Sequence, residues 1–370
     1  MLKPLFFEKG NESKRFFKCC GSFGEISGEV SRNENTVFYE TDRYRINCEY
    51  QCDEYGVFTR NDSFTNKSGE DINVNCLKSR FVFEGGEYQV YTQFNSWLTE
   101  SMGGWQPLVT SISASGGRVR TTHNATPFMA LWNEQTQRGV AFHIRPNCAW
   151  EMKVTKAGHN NIYTKVVVEL GMLDFNLDMK VSPDETVNMP EIICYEFKNK
   201  LDMDCYKLHN YMHTHYPRRQ LPIIYDTWMY KFDYITYENV SSQIKLAADL
   251  GVEYFFIDAG WFGKGADWYL SIGDWSENTV SALKGRMIDI ANEVRKAGMK
   301  VGIWLEPGRA FRDSDAVKNH PDYYILGDVN GSYFFDYSNE EARKWMLDII
   351  FGLIEKYGIE YIKDDFNGDM

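Results

Sequence analysis

Two patterns of hydrophobic residues divide this chain. Up to residue 200, apolar and polar residues alternate over short runs, as in Val140, Phe142 and Ile144, which would share one face of a strand. The glycine pairs Gly85-Gly86 and Gly103-Gly104 interrupt such runs and indicate turns. The pattern predicts a β-sandwich domain over residues 1–200.

A change of pattern follows this domain. Residues 201–220 are predicted to form a connecting helix and a linker, with the helix over residues 202–214. Residues 221–370 then repeat an order of strand, loop and helix, beginning with a strand over residues 222–228. We therefore predict a second domain of a different class, over residues 221–370.

Three helices are predicted in this second domain, over residues 237–250, over residues 284–297 and after Ser338. Ser338 and Glu341 have the spacing of a capping box at the start of the third helix. A glycine ends each helix and leads directly into an apolar strand. These glycines are Gly251, Gly298 and Gly358.

Apolar strands that alternate with helices predict a buried parallel sheet. Both a (β/α)8 barrel and an open doubly wound sheet satisfy this pattern. No Gly-x-Gly-x-x-Gly or P-loop pattern follows any of the strands, which disfavours a nucleotide-binding sheet.

Acidic residues fall where three of these strands end. Counting from each glycine places Asp258, Glu306 and Asp365 at carboxyl ends, which carry the active site in barrels. Lys363 precedes Asp365 by two residues, so both side chains are predicted on one face of the strand. A nearby ammonium favours an ionised carboxylate, and a carboxylate nucleophile must be ionised.

Two kinds of chemistry could use this acidic cluster. Glycoside hydrolysis needs a carboxylate nucleophile and a second carboxyl group, whereas a Mg²⁺ site needs several oxygen ligands. Lys363 would repel a metal ion. Tryptophans suit a pyranose, and four of them lie at or near the strand ends, so the pattern favours a sugar site. They are Trp228, Trp261, Trp275 and Trp304.

Composition narrows the functional class further. The formal net charge of −12 argues against a nucleic-acid or anionic-membrane partner. The N-terminus lacks the apolar core of a signal peptide, and no apolar run reaches the about 18 residues of a membrane span. None of the eight cysteines forms a Cys-x-x-Cys pair. We expect reduced thiols in a cytoplasmic protein.

Six motifs, in their order and spacing, resemble glycoside hydrolase family 36, which holds α-galactosidases, α-N-acetylgalactosaminidases and raffinose-type synthases. The β-rich segments 88–108 and 124–150 also resemble the N-terminal domain of that family. The motifs are Asp226-Thr-Trp228, Ile257-Asp-Ala-Gly-Trp-Phe262, Gly273-Asp-Trp275, Gly302-Ile-Trp-Leu-Glu-Pro307, Phe335-Asp-Tyr-Ser-Asn339 and Tyr361-Ile-Lys-Asp-Asp-Phe-Asn367.

The resemblance implies a fold and a mechanism. The fold would be an N-terminal β-sandwich of the supersandwich type, followed by the first half of a (β/α)8 TIM barrel. The activity would be that of a retaining α-galactosidase acting on α-galactoside oligosaccharides, with Asp365 as nucleophile. Family members often form homo-oligomers, and no cofactor or metal is implied. The implied substrate-binding residues are Trp228, Asp258, Trp304, Lys363 and Asn367.

Three departures from the family pattern matter. The family often has two adjacent aspartates where this chain has Asp258 followed by Ala259, and many members have an arginine in the stretch occupied here by Asn330–Ser332. The family acid/base lies two strands beyond the nucleophile, and the chain ends at Met370. We expect a fragment that is inactive alone.

Several alternatives stay open at this point. Ala259 leaves α-N-acetylgalactosaminidase and α-galactosyl transferase activity possible. A non-catalytic galactoside-binding protein and a metal-dependent barrel enzyme are the hypotheses from other functional classes.

Overall fold

The chain divides into two compact units, Met1–Arg218 and Arg219–Met370. In this computed structural model, the described residues are 12–96, 99–116, 125–159, 162–217, 219–326 and 331–365. The boundary between the units falls inside the predicted linker.

The first unit consists mainly of β-strands. A 3₁₀ turn at Ser13–Arg15 precedes them and one helix, α1 (Tyr206–His215), follows them. The strands are β1 (Phe17–Gly21), β2 (Gly24–Glu25), β3 (Ser31–Asn33), β4 (Thr36–Glu40), β5 (Tyr44–Cys52), β6 (Val57–Asn66), β7 (Ile72–Glu84), β8 (Tyr88–Ser96), β9 (Thr99–Pro107), β10 (Ser111–Gly116), β11 (Ala125–Asn133), β12 (Arg138–Arg145), β13 (Trp150–His159), β14 (Ile162–Met172), β15 (Met179–Val181), β16 (Thr186–Asn188) and β17 (Glu191–Phe197).

Two antiparallel sheets account for these strands. Within the described residues, seven strands form one sheet in the order β10-β13-β14-β7-β1-β2, with β15 paired to β7. Ten strands form the other in the order β3-β4-β5-β6-β17-β12-β11-β8-β9, with β16 paired to β6. Val140, Phe142 and Ile144 of β12 lie buried in the core, as their alternation predicts.

The two sheets pack face to face around an apolar core. Phe81 of β7 and Phe142 of β12 belong to different sheets, and their ring centroids lie 5.2 Å apart. Met152 and Val154 of β13 join the same cluster of buried side chains. The predicted β-sandwich is therefore confirmed.

Two local predictions for this unit need correction. Gly103 and Gly104 lie inside β9 rather than at a turn, because this strand pairs continuously with β8 at their positions. The connecting helix begins at Tyr206 instead of residue 202. Met203 and Asp204 have positive φ angles of 53° and 45°, so the backbone cannot be helical there.

The second unit alternates short strands and helices. Its strands are β18 (Ile224–Asp226), β19 (Tyr254–Ile257), β20 (Lys300–Leu305), β21 (Arg309–Phe311), β22 (Tyr324–Leu326), β23 (Ser332–Phe335) and β24 (Ile359–Asp364). Its helices are α2 (Trp228–Lys231), α3 (Tyr237–Asp249), α4 (Met287–Lys296), α5 (Asp315–Asn319) and α6 (Glu340–Tyr357), with 3₁₀ turns at Tyr269–Ser271 and Pro321–Tyr323.

A parallel sheet in the order β18-β19-β20-β24 forms the centre of this unit. Antiparallel β21, β22 and β23 form a separate small sheet in the order β21-β23-β22. Helices α3, α4 and α6 contribute buried apolar residues such as Ile244, Ile290 and Met346 to a single core that also holds Phe255 and Ile303 of the sheet. The predicted order of strand and helix is thus confirmed for the described residues.

Glycines end these helices, as predicted. Gly251, Gly298 and Gly358 have φ angles of 78°, 84° and 63°, a left-handed conformation that side chains disfavour. The start of α6 differs from its prediction, because Asn339 rather than Ser338 is the N-cap and accepts hydrogen bonds from the amides of Glu341 and Ala342.

Two further findings concern the chain as a whole. All eight cysteines are free thiols. None of the helices in the described parts of the chain is long and apolar enough to cross a membrane.

Candidate active site

Acidic residues gather at the carboxyl end of the parallel sheet. Asp258, Glu306 and Asp365 each follow the last residue of a strand, as counting from the glycines predicts. Asp226 is itself the last residue of β18. Because the strands are parallel neighbours, these four residues meet at one edge.

Lys363 joins two of these carboxylates. Its Nζ atom donates hydrogen bonds to Oδ2 of Asp258 over 2.7 Å and to Oδ2 of Asp226 over 3.1 Å. Desolvation of the half-buried ammonium opposes its charge, but the hydrogen bond to Asp258 and both carboxylate charges raise the pKa of Lys363 overall. Lys363 was predicted from the sequence to share a strand face with Asp365, and its hydrogen bonds link the ends of β18 and β19.

Asp258 is the most buried member of this trio. Only 3% of its surface is exposed, and this burial raises its pKa to about 6, against the lowering effects of Lys363 and of the Ala259 amide. The neighbouring Asp226 carboxylate raises the pKa further. The Ala259 amide donates to Oδ1 over 2.8 Å, and Thr227 accepts from the Asp258 amide. These contacts fix the carboxylate in place before any ligand arrives.

A tryptophan holds the Asp365 carboxylate. The indole Nε1 of Trp304 donates to Oδ2 of Asp365 over 3.0 Å, and the Asp365 amide donates to the Leu305 carbonyl over 2.9 Å. Trp304 is itself fixed, because its carbonyl accepts from Trp261 Nε1 and its ring stacks on Phe262 at 5.8 Å. Asp365 is therefore held by both its backbone and its side chain.

Tryptophan side chains form a wall beside this carboxylate. Trp228 begins α2 rather than ending β18, and its ring meets Trp268 at 6.4 Å, which in turn meets Trp304 at 5.8 Å. Trp261 and Trp275, two of the four tryptophans singled out from the sequence, are buried in the core instead. Trp304 is as buried as these two, whereas Trp228 and Trp268 are half-buried rings that can cover the apolar face of a sugar.

Glu306 has a different environment from the other acids. It is fully buried, and Nη2 of Arg309 donates to its Oε2 over 2.7 Å. Arg309 also donates from Nη1 to the hydroxyl of Tyr269 over 3.0 Å. Among the described residues, no group of three or more His, Cys, Asp or Glu side chains could hold a metal ion. The set of Asp258, Glu306 and Asp365 considered for a metal ion is not such a group, and Glu306 is paired with Arg309.

Two residues of this site were missed from the sequence. Asp226 ends a strand in the same way as Asp258, so the same count along the repeat could have found it. Trp268 lies in the loop after β19, outside the repeat of strands and helices, so no count along the sequence could place it at the site. Of the residues predicted to bind substrate, Asn367 lies outside the described residues.

The melibiase family model matches residues 167–370, more than half of the chain. Because this match covers more than half of the chain, the chain belongs to the melibiase family. The β-sandwich and the parallel sheet with carboxylates at its carboxyl end accompany this match. Its relatives are glycoside hydrolase family 36 α-galactosidases, as the sequence motifs suggested.

Curated relatives are similar over most of the chain. The α-galactosidase AgaA of Geobacillus stearothermophilus is 25% identical over 337 residues, which cover 86% of this chain and 45% of AgaA. The bifunctional α-galactosidase/sucrose kinase AgaSK of Mediterraneibacter gnavus is 26% identical over 343 residues, which cover 85% of this chain and 36% of AgaSK. The chain thus spans less than half the length of these relatives.

Solved structures share the fold. The galactosidase domain of AgaSK superposes with a TM-score of 0.84 at 21% identity, covering 98% of this chain and 56% of that one. AgaA of Geobacillus stearothermophilus gives a TM-score of 0.83 at 20% identity, again covering 98% and 56%. AgaA variants have been solved with stachyose and with raffinose.

Proposed function

We propose that this chain is the N-terminal part of a retaining α-galactosidase and that Asp365 is its nucleophile. The observation that carries the proposal is the Asp365 carboxylate, held by Trp304 at the carboxyl end of β24 and beside the tryptophan wall. The parallel sheet β18-β19-β20-β24 would be the first half of a (β/α)8 barrel, in which strand ends carry the catalytic groups.

The reaction would proceed in two displacements. Asp365 attacks the anomeric carbon while the glycosidic C–O bond breaks, and the leaving oxygen takes a proton from a second carboxyl group. Water then attacks the covalent intermediate and returns a proton to that group. Two inversions at one carbon release galactose in the α configuration.

Binding of galactose would fall to the polar cluster next to Asp365. Asp258 and Asp226 offer acceptors for sugar hydroxyls, and Lys363 between them offers a donor. Trp228 and Trp304 would line the binding site, and Asn367 would supply a further hydroxyl contact. This set recognises hydroxyl groups without requiring a cofactor or a metal.

The acid/base carboxyl group is the missing part of this mechanism. Asp226 and Asp258 already hold Lys363, and Glu306 holds Arg309, so none of these is poised to protonate a leaving group. We propose that the acid/base comes from sequence outside these 370 residues, which is consistent with relatives more than twice as long. The 370-residue chain alone would then bind galactosides without hydrolysing them.

A second substrate is favoured by one residue. Ala259 follows Asp258 directly, and its methyl side chain offers no second carboxylate to the sugar. Fewer acceptors at this position would relax selection among sugar hydroxyls, which is why α-N-acetylgalactosaminides and galactosyl transfer are the alternatives.

Rates on two substrates test the proposal. The full-length gene product should release nitrophenol from p-nitrophenyl α-galactoside faster than from its N-acetylgalactosaminide analogue, and proton NMR should detect α-galactose first. Initial release of β-galactose would contradict retention. A preference for the N-acetyl substrate would favour the second candidate, and galactose binding without turnover would support a non-catalytic protein.

A further inference from the structure

A cavity of ≈ 610 Å³ lies in the first unit, on the outer face of the ten-stranded sheet. Tyr91, Phe128, His143 and Tyr195 line it from four neighbouring strands, and Met212 of α1 lines its other side. None of its lining residues belongs to the strand-end cluster of the second unit. The volume is that of a typical small-molecule site.

The wall formed by the sheet is a stripe of aromatic rings. Tyr91 meets Phe128 at 5.9 Å, Phe128 meets His143 at 4.6 Å, and His143 meets Tyr195 at 6.4 Å between centroids. The stripe follows the strand order β8-β11-β12-β17, so the backbone fixes the spacing of the rings. Such a surface suits a flat ligand with an apolar face.

One polar atom in this wall lacks a partner. Nε2 of His143 is buried and has no hydrogen-bond partner among the described residues. Burial lowers the pKa of His143 to about 4, so the imidazole is neutral near pH 7. An unsatisfied buried nitrogen is unfavourable, and a ligand hydroxyl at this position would satisfy it.

The charged residues that line the cavity are already engaged. Nη1 of Arg145 donates to Oε2 of Glu191 over 2.6 Å, and the Asp202 carboxylate accepts from the Asp204 amide over 2.9 Å. The remaining polar side chains include the uncharged Gln93 and Thr126. This environment favours a neutral ligand with hydrogen-bonding groups on its edge over an anion or a cation.

We propose that this cavity binds one pyranose ring of a neutral saccharide. The C–H face of the ring would lie on the aromatic stripe, and a hydroxyl would hydrogen-bond with Nε2 of His143. A purely apolar disc would leave Nε2 of His143 unpaired, whereas a pyranose has hydroxyls in its plane. The site would hold part of a saccharide on the β-sandwich independently of catalysis.

The direct test uses His143→Phe, which keeps the ring in the stripe and removes the nitrogen. Saturation-transfer NMR and calorimetry would measure the binding of methyl glycosides of galactose, glucose and mannose, at up to about 10 mM given the weak affinity of single sugars. We expect binding of at least one glycoside, weakened roughly tenfold by His143→Phe and by Gln93→Leu.

The matched control is His215→Phe on α1. His215 is exposed, its Nδ1 bonds to the Tyr211 carbonyl, and it does not line the cavity, so this change should leave glycoside affinity unaltered. No glycoside binding by the wild type, or binding that neither cavity variant changes, would overturn the proposal. Circular dichroism shows whether each variant folds. If His143→Phe does not fold, Gln93→Leu still tests the proposal.

Discussion

The indole nitrogen of Trp304, on β20, donates a hydrogen bond of 3.0 Å to the carboxylate of Asp365, which directly follows the neighbouring strand β24. The donor comes from a ring with only 2% of its surface exposed, fixed by Trp261 and Phe262. A carboxylate held in this way keeps one oxygen engaged and orients the other, which is what an attacking group requires.

Trp304→Phe removes this donor and keeps an aromatic ring in the wall. We expect kcat/KM of the full-length enzyme on p-nitrophenyl α-galactoside to fall by about 10- to 100-fold, because Asp365 loses its orienting hydrogen bond. Trp345→Phe on α6 is the matched control and should retain activity. Equal effects of the two changes would show that Trp304 matters for stability alone.

Lys363→Met removes the cation between Asp226 and Asp258. The hydrogen bond and charge that lower the pKa of Asp258 are lost, so this pKa should rise above its present value of about 6. The acidic limb of the kcat/KM profile should then move to higher pH, and KM should rise about tenfold as hydroxyl contacts are lost.

The control for this change is Lys300→Met on the neighbouring strand, where the ammonium is exposed and lies 3.5 Å from Glu360. Its pH profile should match that of the wild type. A Lys363→Met enzyme with an unmoved acidic limb would rule out Asp258 as the group that sets the limb.

Asp258 also links folding stability to pH. Its pKa is raised from 3.8 to about 6 by burial, so between these values the folded chain binds a proton that the unfolded chain does not. Its contribution to stability is complete below pH 3.8 and is lost as pH rises through about 6. Asp258→Asn should remove this contribution, which amounts to at most about 3 kcal/mol.

Urea unfolding across this pH window measures the effect as a difference in slope. The wild type should lose stability relative to Asp258→Asn as pH rises. Asp289→Asn, at a half-exposed residue paired with Arg286, should run parallel to the wild type. Parallel curves for Asp258→Asn would mean that this carboxyl is not perturbed by folding.

The cap of α6 provides a separate test of local structure. Asn339 accepts hydrogen bonds from the amides of Glu341 and Ala342, so Asn339→Ala should lower the free energy of unfolding by about 1 kcal/mol. Ser338→Ala removes only an exposed hydrogen bond to Asp336 and should cost less. A larger loss for Ser338→Ala in urea unfolding would restore the capping box expected from the sequence.

Sequence patterns predicted most of this architecture, because the period of apolar residues differs between strands and helices. Alternation identified β12, and helical spacing followed by glycine identified α3, α4 and α6. Positions of Asp258 and Asp365 followed from counting along each strand. Such counting depends only on the period of the backbone, so it survives imperfect knowledge of the tertiary fold.

Side-chain partnerships could not be predicted in the same way. The alternation of side chains placed Lys363 on the same strand face as Asp365, but it could not show that its hydrogen bonds reach Asp226 and Asp258, which lie far away in the sequence. The pairing of Glu306 with Arg309 depends on a turn after β20 whose geometry no periodic pattern encodes. The cavity beside α1 likewise arises from four strands that only the folded sheet brings together.

Covalent trapping tests the central claim most directly. The full-length enzyme would be treated with a fluorinated α-galactosyl fluoride, digested and analysed by tandem mass spectrometry. We predict one galactosyl adduct on Asp365, lost in Asp365→Asn and kept in the adjacent control Asp364→Asn. An adduct on another residue, or full hydrolytic activity in Asp365→Asn, would contradict the assignment of Asp365 as the nucleophile.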